Sequence, residues 1–151
     1  MKKIDAYEDL IGFKIGPELI YILENYEGIM VKEEYGFVPV QPSPLTNEKG
    51  YETLIAFIGF HTKYDLFTIY EMHRAQLPFG IFPIAEMDGG NYICISNNKK
   101  MYVWIYDCNA KSGLFLASTS INKFILSIEK MPEINIDISQ IKSEYSDDFW
   151  N

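Results

Sequence analysis

Between residues 81 and 118 four apolar runs follow one another closely: IFPIAE (81–86), NYICIS (91–96), MYVWIYD (101–107) and LFLAS (114–118). Their connections are too short for crossovers, so successive strands pair mostly antiparallel. SNNKK (96–100) supplies a hairpin connection. In MYVWIYD, Tyr102, Trp104 and Tyr106 take one face and Met101, Val103 and Ile105 the other. Both faces of such a sheet need cover.

Helical patterns supply that cover. In GPELIYILENYEG (16–28), Gly16 begins a helix, Pro17 suits its first turn, and Leu19, Ile22, Leu23 and Tyr26 recur on one face before Gly28 stops it. Tyr7, Leu10 and Ile11 mark a short accompanying helix. Asp65 caps a further helix carrying Leu66, Ile69, Tyr70 and His73, which ends before Pro78. Ser118, Thr119 or Ser120 caps a last one, with Ile121, Phe124, Ile125 and Ile128 on one face and Pro132 beyond.

Elsewhere IMV (29–31), GFVPV (36–40) and LIAFIGF (54–60) read as strands, Pro39 placing the second at an edge or bulge. QPSPLTNEKG (41–50) reads as an exposed connecting loop. In the tail, Ile134, Ile136 and Ile138 alternate like a strand, while Ile134, Ile138, Ile141 and Tyr145 fit a helix. No repeat or linker divides the chain. The expectation is a single α+β domain over 1–151, with a central, largely antiparallel multistranded sheet and flanking helices, and 129–151 as a C-terminal extension.

Composition narrows the function classes. Twenty-one acidic residues against 13 basic ones give a formal charge of −8, and Arg74 is the only arginine. Such a field opposes phosphate backbones and anionic lipid and favours cationic protein surfaces. No direct nucleic-acid or membrane partner is expected. MKKIDAYEDLIGF lacks the form of a secretory signal, and no apolar run approaches the roughly 20 residues that span a bilayer. A cytoplasmic location is expected, in which Cys94 and Cys108 read as packed hydrophobes and a disulfide between them, though geometrically open, is not indicated.

A search for reaction chemistry finds none to assign. His61 and His73 make no HExxH, and the cysteines make no CxxC pair. No GxSxG elbow is present. Asp88-Gly89-Gly90 lacks the spacing of a phosphate loop and leads into the strand NYICIS rather than a helix, so it reads as a turn. Glu86 and Asp88 sit at a strand end beside Gly89-Gly90, where turn formation, solvation or partner contact is the simpler use. Neither an enzymatic activity nor a cofactor is expected.

IGFKIGPELIYILENYEG, LIAFIGF with DLFTIYEMHRAQLP, GIFPIAEMDGGNYICIS, YVWIYD and LASTSINKFI together make the chain resemble the SUKH superfamily over roughly residues 8–128. That group includes yeast cell-wall-assembly regulators and many bacterial immunity proteins. The resemblance implies an antitoxin that binds a cognate toxin domain, often a nuclease, and blocks its active site or substrate surface. It carries no shared catalytic set. The acidic balance fits a basic partner, and Asp65, Glu71, Glu86 and Asp88 are the candidate contact residues. The alternative is a non-enzymatic protein-interaction or cell-envelope regulatory adaptor. Oligomeric state is not legible.

Overall fold

A computed structural model describes residues 3–61, 64–105 and 113–132. The helices are α1 (Lys3–Ile11), α2 (Pro17–Asn25), α3 (Leu66–His73) and α4 (Ile121–Ser127). The strands are β1 (Tyr35–Gly36), β2 (Leu54–Phe57), β3 (Ile81–Met87), β4 (Asn91–Ser96), β5 (Met101–Trp104), β6 (Leu114–Ser118) and β7 (Glu129–Lys130). β2 to β6 form a five-stranded sheet in sequence order with every neighbour antiparallel. The α+β architecture expected from the sequence is the one observed.

The two-sided burial follows from the strand sequences. All six residues of β4 are buried, as are Met101, Val103 and Trp104 of β5. Tyr7 of α1, Leu19 and Leu23 of α2, Leu66 and Ile69 of α3 and Phe124 of α4 supply the helical contribution to the same core. The capping readings hold at atomic detail. Asp65 accepts the Thr68 N–H at 2.8 Å, and Ser120, among the three hydroxyls offered, accepts that of Lys123 at 3.1 Å.

Several expected elements are shorter than their apolar patterns. The helix over 16–28 ends at Asn25, and Gly28, with φ 68°, directs its N–H to the Phe57 carbonyl. The strand expected over 54–60 ends at Phe57, and α4 ends at Ser127, leaving Ile128 as its extended cap. The third run stops at Trp104; Tyr106 and Asp107 lie outside the described residues, as do Cys108 and the tail from 133.

The largest correction falls on 29–41. Instead of two strands, this segment makes scattered links: Val31 N–H to Ile55, reciprocal bonds between Phe37 and Glu52, and Val40 and Gln41 N–H groups to the carbonyls of Ala117 and Leu116. It thereby connects β2 and the residues just before it to the free edge of β6. Only Tyr35–Gly36 forms a ladder, with β7. Pro39, which has no N–H, prevents a continuous one.

The 41–50 loop does more than connect. Glu52, 1% exposed, accepts Ser43 Oγ at 2.7 Å and Thr46 Oγ1 at 3.1 Å. Burial raises its pKa, and the two hydroxyls oppose the rise only in part. The folded chain thus holds this proton to a higher pH than the unfolded chain. Its contribution to stability is complete below the ordinary carboxylate range and is lost as pH rises through the raised value. Glu52→Gln is expected to flatten that part of the curve of urea midpoint against pH, relative to the parent chain.

Candidate partner-binding site

Directly opposed residues of antiparallel neighbours project to the same side of a sheet. Ala56, Glu86, Tyr92, Trp104 and Leu114 are opposed in turn from β2 to β6 and form one row across it. The Met30–Ala56 bridge extends the row past β2. Met30 is 67% exposed at one end, whereas Tyr92 and Trp104 are buried. Glu86 is half-buried at the transition.

His73, in the last turn of α3, covers the buried part of the row. Its Nε2 lies 3.1 Å from the Tyr92 hydroxyl, and its ring stands edge-on to Trp104 at 5.5 Å between centroids. Burial lowers its pKa, favouring the neutral imidazole. This gives His73 the packing role that its place on the helix face suggested.

The four candidate carboxylates occupy distinct settings. Asp65 is engaged as the cap of α3. Glu71 is exposed and meets Arg74 at 3.3 Å, one turn along the same helix. The Glu86 carboxylate, on a residue whose backbone is paired in the sheet, has no hydrogen-bond or ion-pair partner among the described residues. Asp88 is exposed in the short 3-10 turn between β3 and β4, and its backbone carbonyl accepts the Asn91 side-chain amide at 2.9 Å. No two of the four share a bonding partner among the described residues.

Gly89 and Gly90 have φ values of 75° and 76°, which glycine adopts without steric cost. The turn leads directly into β4, as the sequence indicates. Among the described residues no group of three or more His, Cys, Asp or Glu is placed to hold a metal. Likewise, no described helix is long and apolar enough to cross a membrane.

Three other glutamates prove to be internal fasteners. Glu8 accepts the Ile15 N–H at 2.8 Å, joining α1 to the turn before α2. Glu27 accepts the N–H groups of Phe60 and His61 and meets the His61 ring. Glu52 is the third. None of these side chains is distinguishable by local pattern from the exposed acids nearby, because their acceptor roles depend on distant backbone.

The exposed apolar groups were also not singled out by the sequence. Phe79, in LPFG between α3 and β3, is 98% exposed, and Met72 on α3 is 55% exposed. Single exposed apolar side chains are common on protein surfaces and mark a contact only when they form a patch. The signal for Phe79 was its place in a connection rather than on a periodic face.

A protein-family model described as the SMI1 / KNR4 family (SUKH-1) matches residues 2–127. No curated protein and no solved structure matches the chain.

Proposed function

We propose, since this chain belongs to the SMI1 / KNR4 family (SUKH-1), that it is an immunity protein which binds a cognate toxin domain in the cytoplasm and blocks it without catalysis. The family match carries this reading. The −8 charge supports a basic partner, such as the phosphate-binding face of a nuclease domain. The half-buried, unpaired Glu86 carboxylate, with exposed Asp88 at the end of the same strand, supports placing part of the contact there. Direct binding of nucleic acid forms no part of this mechanism.

The division of labour follows from interface physics. Exposed acids steer the encounter, so their removal slows association and weakens its salt dependence. Apolar anchors and desolvated pairs hold the complex once formed. Glu71, Glu86 and Asp88 are available for the first task. Asp65→Ala is a poor probe, because it removes a helix cap worth about 1 kcal/mol whatever the partner does.

The test is to identify a toxin domain encoded by a neighbouring gene, to express it with and without this chain, and to measure binding of the purified pair. Protection from growth arrest and a direct complex are expected. The double variant Glu86→Lys/Asp88→Lys, checked for an unchanged melting curve, is expected to lower affinity at least tenfold, mainly through the association rate. A parent chain that neither binds nor protects sinks the immunity reading. A double variant with parental affinity removes these two residues from the contact while leaving that reading in place.

A further inference from the structure

A cleft of about 440 Å³ opens between α1, α3 and the start of β3, where Leu10, Tyr70, Phe79 and Phe82 supply apolar walls and Arg74 and Asn97 the polar groups. Asn97 belongs to the connection between β4 and β5. In a chain of −8 net charge, none of the described residues lining this cleft is acidic, and Arg74 is its single charged group. The geometry points to a protein-contact surface here that takes an acidic peptide segment of a partner. An apolar side chain of that segment sits in the cleft, and a neighbouring carboxylate meets Arg74.

The wall at Phe79 is braced. The Ile81 N–H bonds the Pro78 carbonyl at 3.3 Å, closing a turn over Phe79 and Gly80, and Gly80, with φ 75°, takes the position that favours glycine. The Gly80 carbonyl accepts the Asn97 N–H at 3.0 Å, which ties this turn to the β4–β5 connection. A Cβ on Gly80 would stand 2.9 Å from the Asn97 side-chain nitrogen. The almost wholly exposed Phe79 ring is thus presented on a fixed backbone, and a partner covering it pays little ordering entropy there. Leu10, exposed on α1, lines the same cleft, so the two make a patch rather than scattered single residues.

Charge complementarity selects the occupant. Arg74 gives one N–H to Glu71 at 3.3 Å, and both side chains are largely exposed. Such exposed pairs are weak, and a guanidinium carries five donors, so Arg74 retains donors for a carboxylate that arrives from outside. Partial covering by the apolar neighbour strengthens that hydrogen bond, because water is removed from around it. A single carboxylate tolerates the −8 field of the chain, whereas a polyanion such as nucleic acid does not. Neither Glu86 nor Asp88 lines the cleft, so this surface stands apart from the acidic contact proposed above and does not rest on the immunity reading.

Two capped tripeptides, leucine-glutamate-leucine and leucine-glutamine-leucine, are titrated into the isotope-labelled full chain, with the backbone amide signals of Leu10, Phe79 and Gly80 as readout. Arg74→Gln and Phe79→Ser are measured alongside; both positions are exposed, and circular dichroism checks that each variant stays folded. In the parent the glutamate peptide is expected to bind roughly fivefold more tightly than the glutamine peptide. Arg74→Gln brings the two to parity, and Phe79→Ser weakens both alike. Equal affinities in the parent would overturn the proposal, as would no movement of these three signals up to about 10 mM glutamate peptide. Shifts of the same signals that grow with chain concentration in the absence of peptide would assign the cleft to a second copy and overturn it as well.

Discussion

Replacing Trp104 by alanine is expected to lower stability by about 3–5 kcal/mol and the melting temperature by roughly 6–20 °C. Trp104 is 2% exposed in the fourth strand of the five-stranded sheet. Its ring stacks near that of Tyr92 at 6.3 Å and takes the edge of His73 at 5.5 Å. Truncation removes these ring contacts and leaves a cavity between β5 and α3. Trp104→Phe retains much of the aromatic contact and is expected to lose markedly less. Denaturant melts at constant m-value separate loss of stability from loss of two-state behaviour.

That ordering bears on function. Tyr92 lies opposite both Trp104 and Glu86, so damage at Trp104 reaches the candidate contact row through the sheet itself. A Trp104→Ala chain that fails to bind a partner therefore says little about binding. Surface reversals at Glu86 and Asp88 are the cleaner probes. Retention of binding by Trp104→Phe with its loss in Trp104→Ala would locate the defect in the framework.

The strands of the central sheet and the caps of α3 and α4 were legible because their causes are local. β4 and β5 read as strands from their apolar runs, and Asp65 and Ser120 each bond an N–H three residues ahead. The 29–41 segment was not legible in the same way. Val31, Phe37 and Gln41 find partners at Ile55, Glu52 and Leu116, and no window of sequence contains both members. Apolar composition indicated extended chain there without indicating which edges it joins.

The same distinction governs the acids. Glu86 and Asp88 stood out because they sit beside a pair of glycines at a strand end, and the structure leaves Glu86 half-buried and Asp88 exposed. Glu8, Glu27 and Glu52 look equally solvated by pattern, yet each anchors backbone or hydroxyl groups within the fold. Net charge counts both kinds alike. The field available for steering a basic partner comes from the exposed set, after internal fasteners and the Asp65 cap are set aside.

Gly59 exposes the most demanding of these fasteners. A Cβ at position 59 would overlap the Glu27 side chain, including the carboxylate oxygen that accepts the Phe60 and His61 N–H groups. The φ of Gly59 is ordinary, so the constraint is space rather than backbone freedom. Gly59→Ala must displace Glu27, leaving two N–H groups to find other acceptors. A loss of about 3 kcal/mol is expected from the combined overpacking and broken hydrogen bonds. The defect would also propagate: the Gly59 carbonyl accepts the Leu66 N–H at 2.9 Å, fixing the start of α3. Glu27→Gly in the same chain removes the Cβ as well as the carboxylate and so relieves the clash but not the missing acceptor, and the double variant should recover part of the loss. Thermal melts of the parent, both single variants and the double variant measure that coupling. Strict additivity would show that Gly59 and Glu27 do not act on one another.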